Sequence, residues 1–142
     1  KKMTFLSTFD SPNPVECYQR AESISPQQSL AMSNNPLTLA QSRTLAAKLS
    51  EQVTSAPAED PEAQFVTLAF RRVLTREPSE AELTECIGFL QQQSERLAAS
   101  GSLTVFAGGT ENPVKPSDDA ALRARENLIH VLFNHNDFVT VR

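Results

Sequence analysis

The chain has 142 residues, 39% of them hydrophobic, 21% charged and 6% aromatic. That length suits one domain, and a compact fold of this size removes roughly 68% of the unfolded chain's surface from water, so its core requires neither disulfide nor metal. A formal charge of -4, from 17 acidic against 13 basic residues, excludes a nucleic-acid tail, because the densest basic group, Arg71, Arg72 and Arg76, is diluted by Glu77, Glu80 and Glu82.

The chain opens on Lys1-Lys2-Met3 without an initiating methionine and reads as a piece of a longer protein. Residues 1–24, with Pro12, Pro14 and no helical period, are predicted to be an extended arm whose Phe5, Leu6, Phe9 and Tyr18 pack on helices. Ser25-Pro26-Gln27-Gln28 is a capping box with proline at the first helical position, and predicts a short helix to about Asn34. Asn35-Pro36 starts a second helix, which places Leu37, Ala40, Leu45, Leu49 and Val53 inward and ends near Ser55-Ala56-Pro57-Ala58. Asp60-Pro61-Glu62 repeats the device, followed by the wide apolar face of a mid-bundle helix: Phe65, Leu68, Ala69, Phe70, Val73 and Leu74. Pro78 stops it, and Ser79-x-x-Glu82 opens a helix with the clearest amphipathic stripe, Leu83, Cys86, Ile87, Leu90 and Leu97.

Residues 99–116, punctuated by Gly101, Gly108, Gly109, Pro113 and Pro116, are expected to form a long loop around a brief apolar patch, Leu103–Phe106. Ser117 or Asp118 then opens a last helix carrying Ala121, Leu122, Arg125, Leu128, Ile129, Leu132 and Phe133. It breaks at Asn134-His135-Asn136-Asp137, leaving Phe138–Val141 as an extended tail. No apolar run approaches the roughly 20 residues that cross a bilayer, so no membrane span is predicted. The fold expected is all-α: about five helices in an irregular bundle, with an extended arm and one long Gly/Pro-rich loop. Its parts are an arm over 1–24, four helices within 25–98, a loop over 99–116, a last helix over 117–135 and a tail over 136–142.

Few residues carry chemistry. Asp10, Cys17, Arg20, Glu22 and Ser23 place a carboxylate, a thiol, a guanidinium and a hydroxyl on one irregular segment, where an active-site fragment and a set of polar ties to backbone are both consistent readings. Cys86 lies on an apolar stripe and reads as a small core residue; a disulfide to Cys17 is the other reading. His130 falls on the polar side of its helix and is expected in solvent, while His135 follows the helix end, where a cation suits the dipole. Together with Asp137 they match no zinc spacing. Glu59/Glu62 and Glu80/Glu82 sit in first turns, where negative charge is favoured without any acid–base role. Gly108-Gly109-Thr110 lacks the Walker spacing and its lysine. Arg71, Arg72 and Arg76 either hold an acidic glycan or pair internally with Glu77 and Glu80; pairing is the expectation.

One set of motifs is specific in combination: Phe9-Asp10-Ser11-Pro12 with Cys17, Arg20 and Ser23; Pro26-Gln27-Gln28-Ser29-Leu30-Ala31-Met32 and Asn34-Asn35-Pro36; Arg76-Glu77-Pro78-Ser79 with Glu82; and Leu132–Val139. In these the chain resembles the C-terminal domain of unknown function of large planctomycete-type secreted proteins that often carry cytochrome c modules. The resemblance implies a C-terminal module of an exported protein, periplasmic or otherwise extracytoplasmic, preceded by an upstream domain of the same protein. It supplies no reaction. No haem-attachment C-x-x-C-H occurs in the chain, and no cofactor, metal or catalytic residue is assigned to it. The reading reached is a noncatalytic structural or interaction module, with Phe9, Asp10, Cys17, Arg20 and Ser23 as contact residues. The alternative is a contribution to an active site on polysaccharide at a domain boundary, with Asp10 and Arg20 reaching substrate.

Overall fold

The structure, a computed structural model, describes residues 30, 31, 33–56, 58–99 and 114–139. These residues form helices and connecting turns, with no strand among them. Leu30, Ala31 and Ser33 lie in a helical turn, closed by a bond from the Asn34 N–H to the Leu30 carbonyl at 3.2 Å. Then follow α1 (Pro36–Ser55), α2 (Pro61–Val73), α3 (Glu80–Ala99), α4 (Ala120–Phe133) and a single turn, α5 (Asn136–Val139).

The starts obey the capping chemistry read from the sequence. Asn35 accepts from the Leu37 N–H at 2.7 Å, and Asp60 accepts from those of Glu62 and Ala63 at 3.0 and 3.1 Å; each precedes a proline at the head of its helix. Such a proline costs no hydrogen bond, since first-turn N–H groups have no intrahelical partner. α4 starts one to two residues later than expected, capped by Asp119, which accepts from Ala121 and Leu122 at 3.3 and 3.2 Å. Ser117 cannot serve as the cap because it is used otherwise: its hydroxyl accepts from the Asp119 N–H, and its own N–H goes to Glu126.

α2 contributes a wide buried face to the core. Phe65, Val66, Ala69 and Phe70 are buried, as its wide apolar face predicts, and they join Ala46, Leu49 and Val53 of α1 with Ala124, Leu128, Ile129 and Leu132 of α4. Burying each large side chain of this set contributes about 1.5–3 kcal/mol before entropy is counted. α4 packs chiefly on α1 and α3. Its pairing with α1 is antiparallel: Arg125 meets Ser50 while His130, further along α4, lies by Arg43, nearer the start of α1.

Two expectations need correction, at Leu37 and in the tail, and one gains detail, the stripe of α3. Leu37 is 60% exposed, because the buried stripe of α1 runs through Ala40, Ser42, Ala46, Leu49 and Val53 and leaves the first turn overhanging. On α3 only Leu90 is fully buried; Leu83, Cys86, Ile87, Phe89 and Leu97 reach the core but stay partly open, so the clearest stripe in the sequence belongs to a flanking helix. After the break at Asn134, Phe138 and Val139 are helical rather than extended, and the Phe138 ring meets Phe133 with centroids 5.2 Å apart. The expected arm, most of the first helix, most of the loop over 99–116 and the end of the tail lie outside the described residues.

Candidate functional site

The residues singled out for binding, Phe9, Asp10, Cys17, Arg20 and Ser23, lie outside the described residues. The most developed polar arrangement within them gathers where the α2–α3 connection meets α5. Here the motif Arg76-Glu77-Pro78-Ser79 with Glu82 comes together with Asp137.

Backbone geometry prepares it. Leu74 closes α2, and Thr75 follows at φ 57°, the left-handed region that a β-branched residue rarely occupies. This turn sends Arg76 back over the bundle, where its guanidinium lies 5.3 Å from the centre of the Phe70 ring. Ser79 and Glu82 form the expected reciprocal box: the Ser79 N–H donates to Glu82 Oε2 at 2.8 Å and the Glu82 N–H to Ser79 Oγ at 3.3 Å. The same carboxylate takes a bidentate grip from Arg76, Nη2 to Oε1 at 2.6 Å and Nη1 to Oε2 at 2.9 Å. Arg76 Nε donates to Asp137 Oδ2 at 3.0 Å, and Nη1 also reaches the Glu77 carbonyl. A planar guanidinium can satisfy two carboxylates at once in this way.

The electrostatics follow. Hydrogen bonds from Arg76, reinforced by Ser79, hold the Glu82 carboxyl far below its ordinary value, at about 2, and Glu82 in turn raises the Arg76 guanidinium above its own. All three side chains remain about one-third exposed, so water screens part of the attraction. Beside them His135 Nδ1 accepts from the Asp137 N–H at 3.1 Å and lies 3.7 Å from its carboxylate. Through this bond the imidazole caps α5, just past the end of α4. Arg71 pairs with Glu77 at 2.5 Å as expected, but Arg76 chooses Glu82 and Asp137 rather than Glu80. Glu80 lies one residue into α3, on another face from the capping glutamate.

A second arrangement, missed in the sequence, lies inside the bundle. Arg125 donates to Ser50 Oγ of α1 at 3.0 Å and to Glu62 Oε1 of α2 at 2.9 Å, and sits 4.9 Å from the centre of the Phe65 ring. Arg125 occupies a core-facing position of α4, which was the available signal. A third fastens the segment before α4: Arg43 donates to the Val114 carbonyl, and the buried Glu126 accepts from the Ser117 N–H at 3.1 and 3.3 Å. Burial pushes the Glu126 carboxyl up, against the pull of Ser117, Arg43 and Arg123.

Cys86 is a free, half-buried thiol whose pKa burial raises, which makes it a poor nucleophile. His130 is half-buried rather than in solvent, and burial lowers its pKa. Among the described residues no three histidine, cysteine or acidic side chains are placed to hold a metal ion, and no helix is long and apolar enough to cross a membrane.

No curated protein and no solved structure matches the chain. A family model does, over residues 1–90; this contains the capping boxes, α1, α2 and the Arg76–Glu82 pair, while Asp137 and Arg125 reach it from beyond. The chain therefore belongs to the family described as Protein of unknown function (DUF1553).

Proposed function

We propose that this chain is a noncatalytic structural or interaction module that completes a larger exported protein of the planctomycete type, working in the periplasm or otherwise outside the cytoplasm. The observation that carries the reading is the pairing at the α2–α3 connection: Arg76, Glu82, Ser79 and Asp137 direct their hydrogen bonds at one another. A substrate-binding arginine keeps donors for its ligand, whereas this one fastens the start of α3 to α5. Phe9, Asp10, Cys17, Arg20 and Ser23 are the residues we assign to contact with the upstream domain, which in some members carries cytochrome c.

The test is calorimetric titration of the chain with the separately expressed remainder of its parent polypeptide. Binding in the nanomolar range, about -12 kcal/mol, is expected. Absence of binding, together with turnover of a soluble polysaccharide that Asp10→Asn and Arg20→Ala abolish, would replace this reading with an active-site contribution.

A further inference from the structure

His130 lies one turn beyond Glu126 on α4, where three elements meet. Its imidazole hydrogen-bonds to the backbone of Ser33, in the turn over residues 30–33, and faces the Arg43 guanidinium of α1. Its Nε2 is buried with no hydrogen-bond partner, and one turn on, Asn134 Oδ1 is buried and unpartnered too. The Asn134 amide is turned the other way, donating to the His130 carbonyl at 2.8 Å.

A neutral imidazole fits this place. One nitrogen works and the other is an idle acceptor, which is far less costly to bury than a charge. A protonated ring would add a second donor and a positive charge next to Arg43. Glu126, the carboxylate on the preceding turn, already accepts from Ser117 and faces Arg43 and Arg123. The 30–33 turn brings backbone and the Ser33 hydroxyl, with no carboxylate. Burial and Arg43 therefore both oppose the imidazolium, and only the Ser33 bond favours it.

We propose that His130 is a proton-operated latch: neutral, it holds the residue 30–33 turn against α4; protonated, it releases that turn from the bundle. If release relieves the buried charge, the ratio of released to held turn rises by up to about tenfold per pH unit between the ordinary histidine value, about 6.5, and the depressed one.

The experiment is an NMR titration of the whole, uniformly labelled chain from pH 7.5 to 4.5, following the His130 ring protons and the heteronuclear NOE of the Ser33 and Asn34 amides. The expected result is a His130 midpoint below about 6.5 and a loss of NOE at Ser33 and Asn34 along the same curve, while Leu128 is unchanged. His130→Gln, which keeps a neutral donor but does not titrate, should hold both NOE values flat. Ordered Ser33 and Asn34 amides in wild-type protein whose His130 is protonated would overturn the latch, as would an identical loss in His130→Gln. Should that variant fail to fold, the coincidence of the two wild-type curves decides alone.

Discussion

Glu82 and Glu126 are both hydrogen-bonded carboxylates, yet their surroundings act in opposite directions. Arg76 and the Ser79 backbone hold Glu82 at about 2; its folded value is below the unfolded one, so its contribution to stability is present at neutral pH and is lost as pH falls through the acid range. Burial dominates at Glu126 and raises its value. The sign reverses: that contribution is complete below the unfolded carboxylate value and disappears as pH rises through the folded one. Glu126→Gln, which retains an acceptor for the Ser117 N–H, should therefore raise the melting temperature at pH 7, with the gain vanishing below pH 4. Thermal unfolding at both pH values checks this, and a variant less stable at pH 7 would mean that Arg43 and Arg123 outweigh desolvation. Thr75 offers a second test at this scale. A left-handed conformation costs an ordinary residue roughly 1–2 kcal/mol, and glycine at an irregular position returns about 0.5–1 of that as chain entropy. Thr75→Gly should stabilise by up to about 1 kcal/mol in urea unfolding; a clear loss would show that the threonine side chain itself is needed.

Among the elements, α4 is tied polar as well as apolar. Arg125 bonds to Ser50 and Glu62 and stacks on Phe65, with only 15% of its side chain exposed. Removing it strands Glu62, whose second oxygen is already buried without a partner. Arg125→Ala is expected to cost about 2–3 kcal/mol, below the range for fully buried pairs because Glu62 is one-third exposed; chemical denaturation measures it. The helices themselves were legible because their starts are local chemistry: Asn35, Asp60 and the Ser79–Glu82 box cap within three residues of where they stand in the chain. Leu37 departs from the expected face because periodicity gives a face, not how far the neighbouring helix extends to cover it. Phe138 is helical against expectation because a single turn of helix is held here by ring contact with Phe133 and by the His135 cap, neither of which is a propensity. The partners of Arg76 and Arg125 were hidden for the same reason, lying 61 and 63 residues away for Asp137 and Glu62.

Across the whole molecule, charge is used to join pieces that the sequence separates. Within the part matched by the family model, residues 1–90, the helices α1 and α2 and the α2–α3 connection are fastened to later segments by Arg43 to Val114, by Arg125 to Ser50 and Glu62, and by Arg76 to Asp137. These ties overlay a shared core of α1, α2 and α4. A module built this way spends its strongest donors on its own architecture, which is why we read it as a part that supports and contacts rather than one that reacts. The candidate contact residues Phe9, Asp10, Cys17, Arg20 and Ser23 are legible in the sequence as a motif only; their chemistry names no partner.

The most direct measurement is a double-mutant cycle at Arg76 and Asp137, using Arg76→Ala, Asp137→Ala and the pair, read by urea unfolding at pH 7. A structural tie, discounted for its exposure, predicts a coupling of about 0.5–1.5 kcal/mol. Zero coupling, with both single variants as stable as the parent, would contradict it and return Arg76 to the role of a free cation awaiting a ligand.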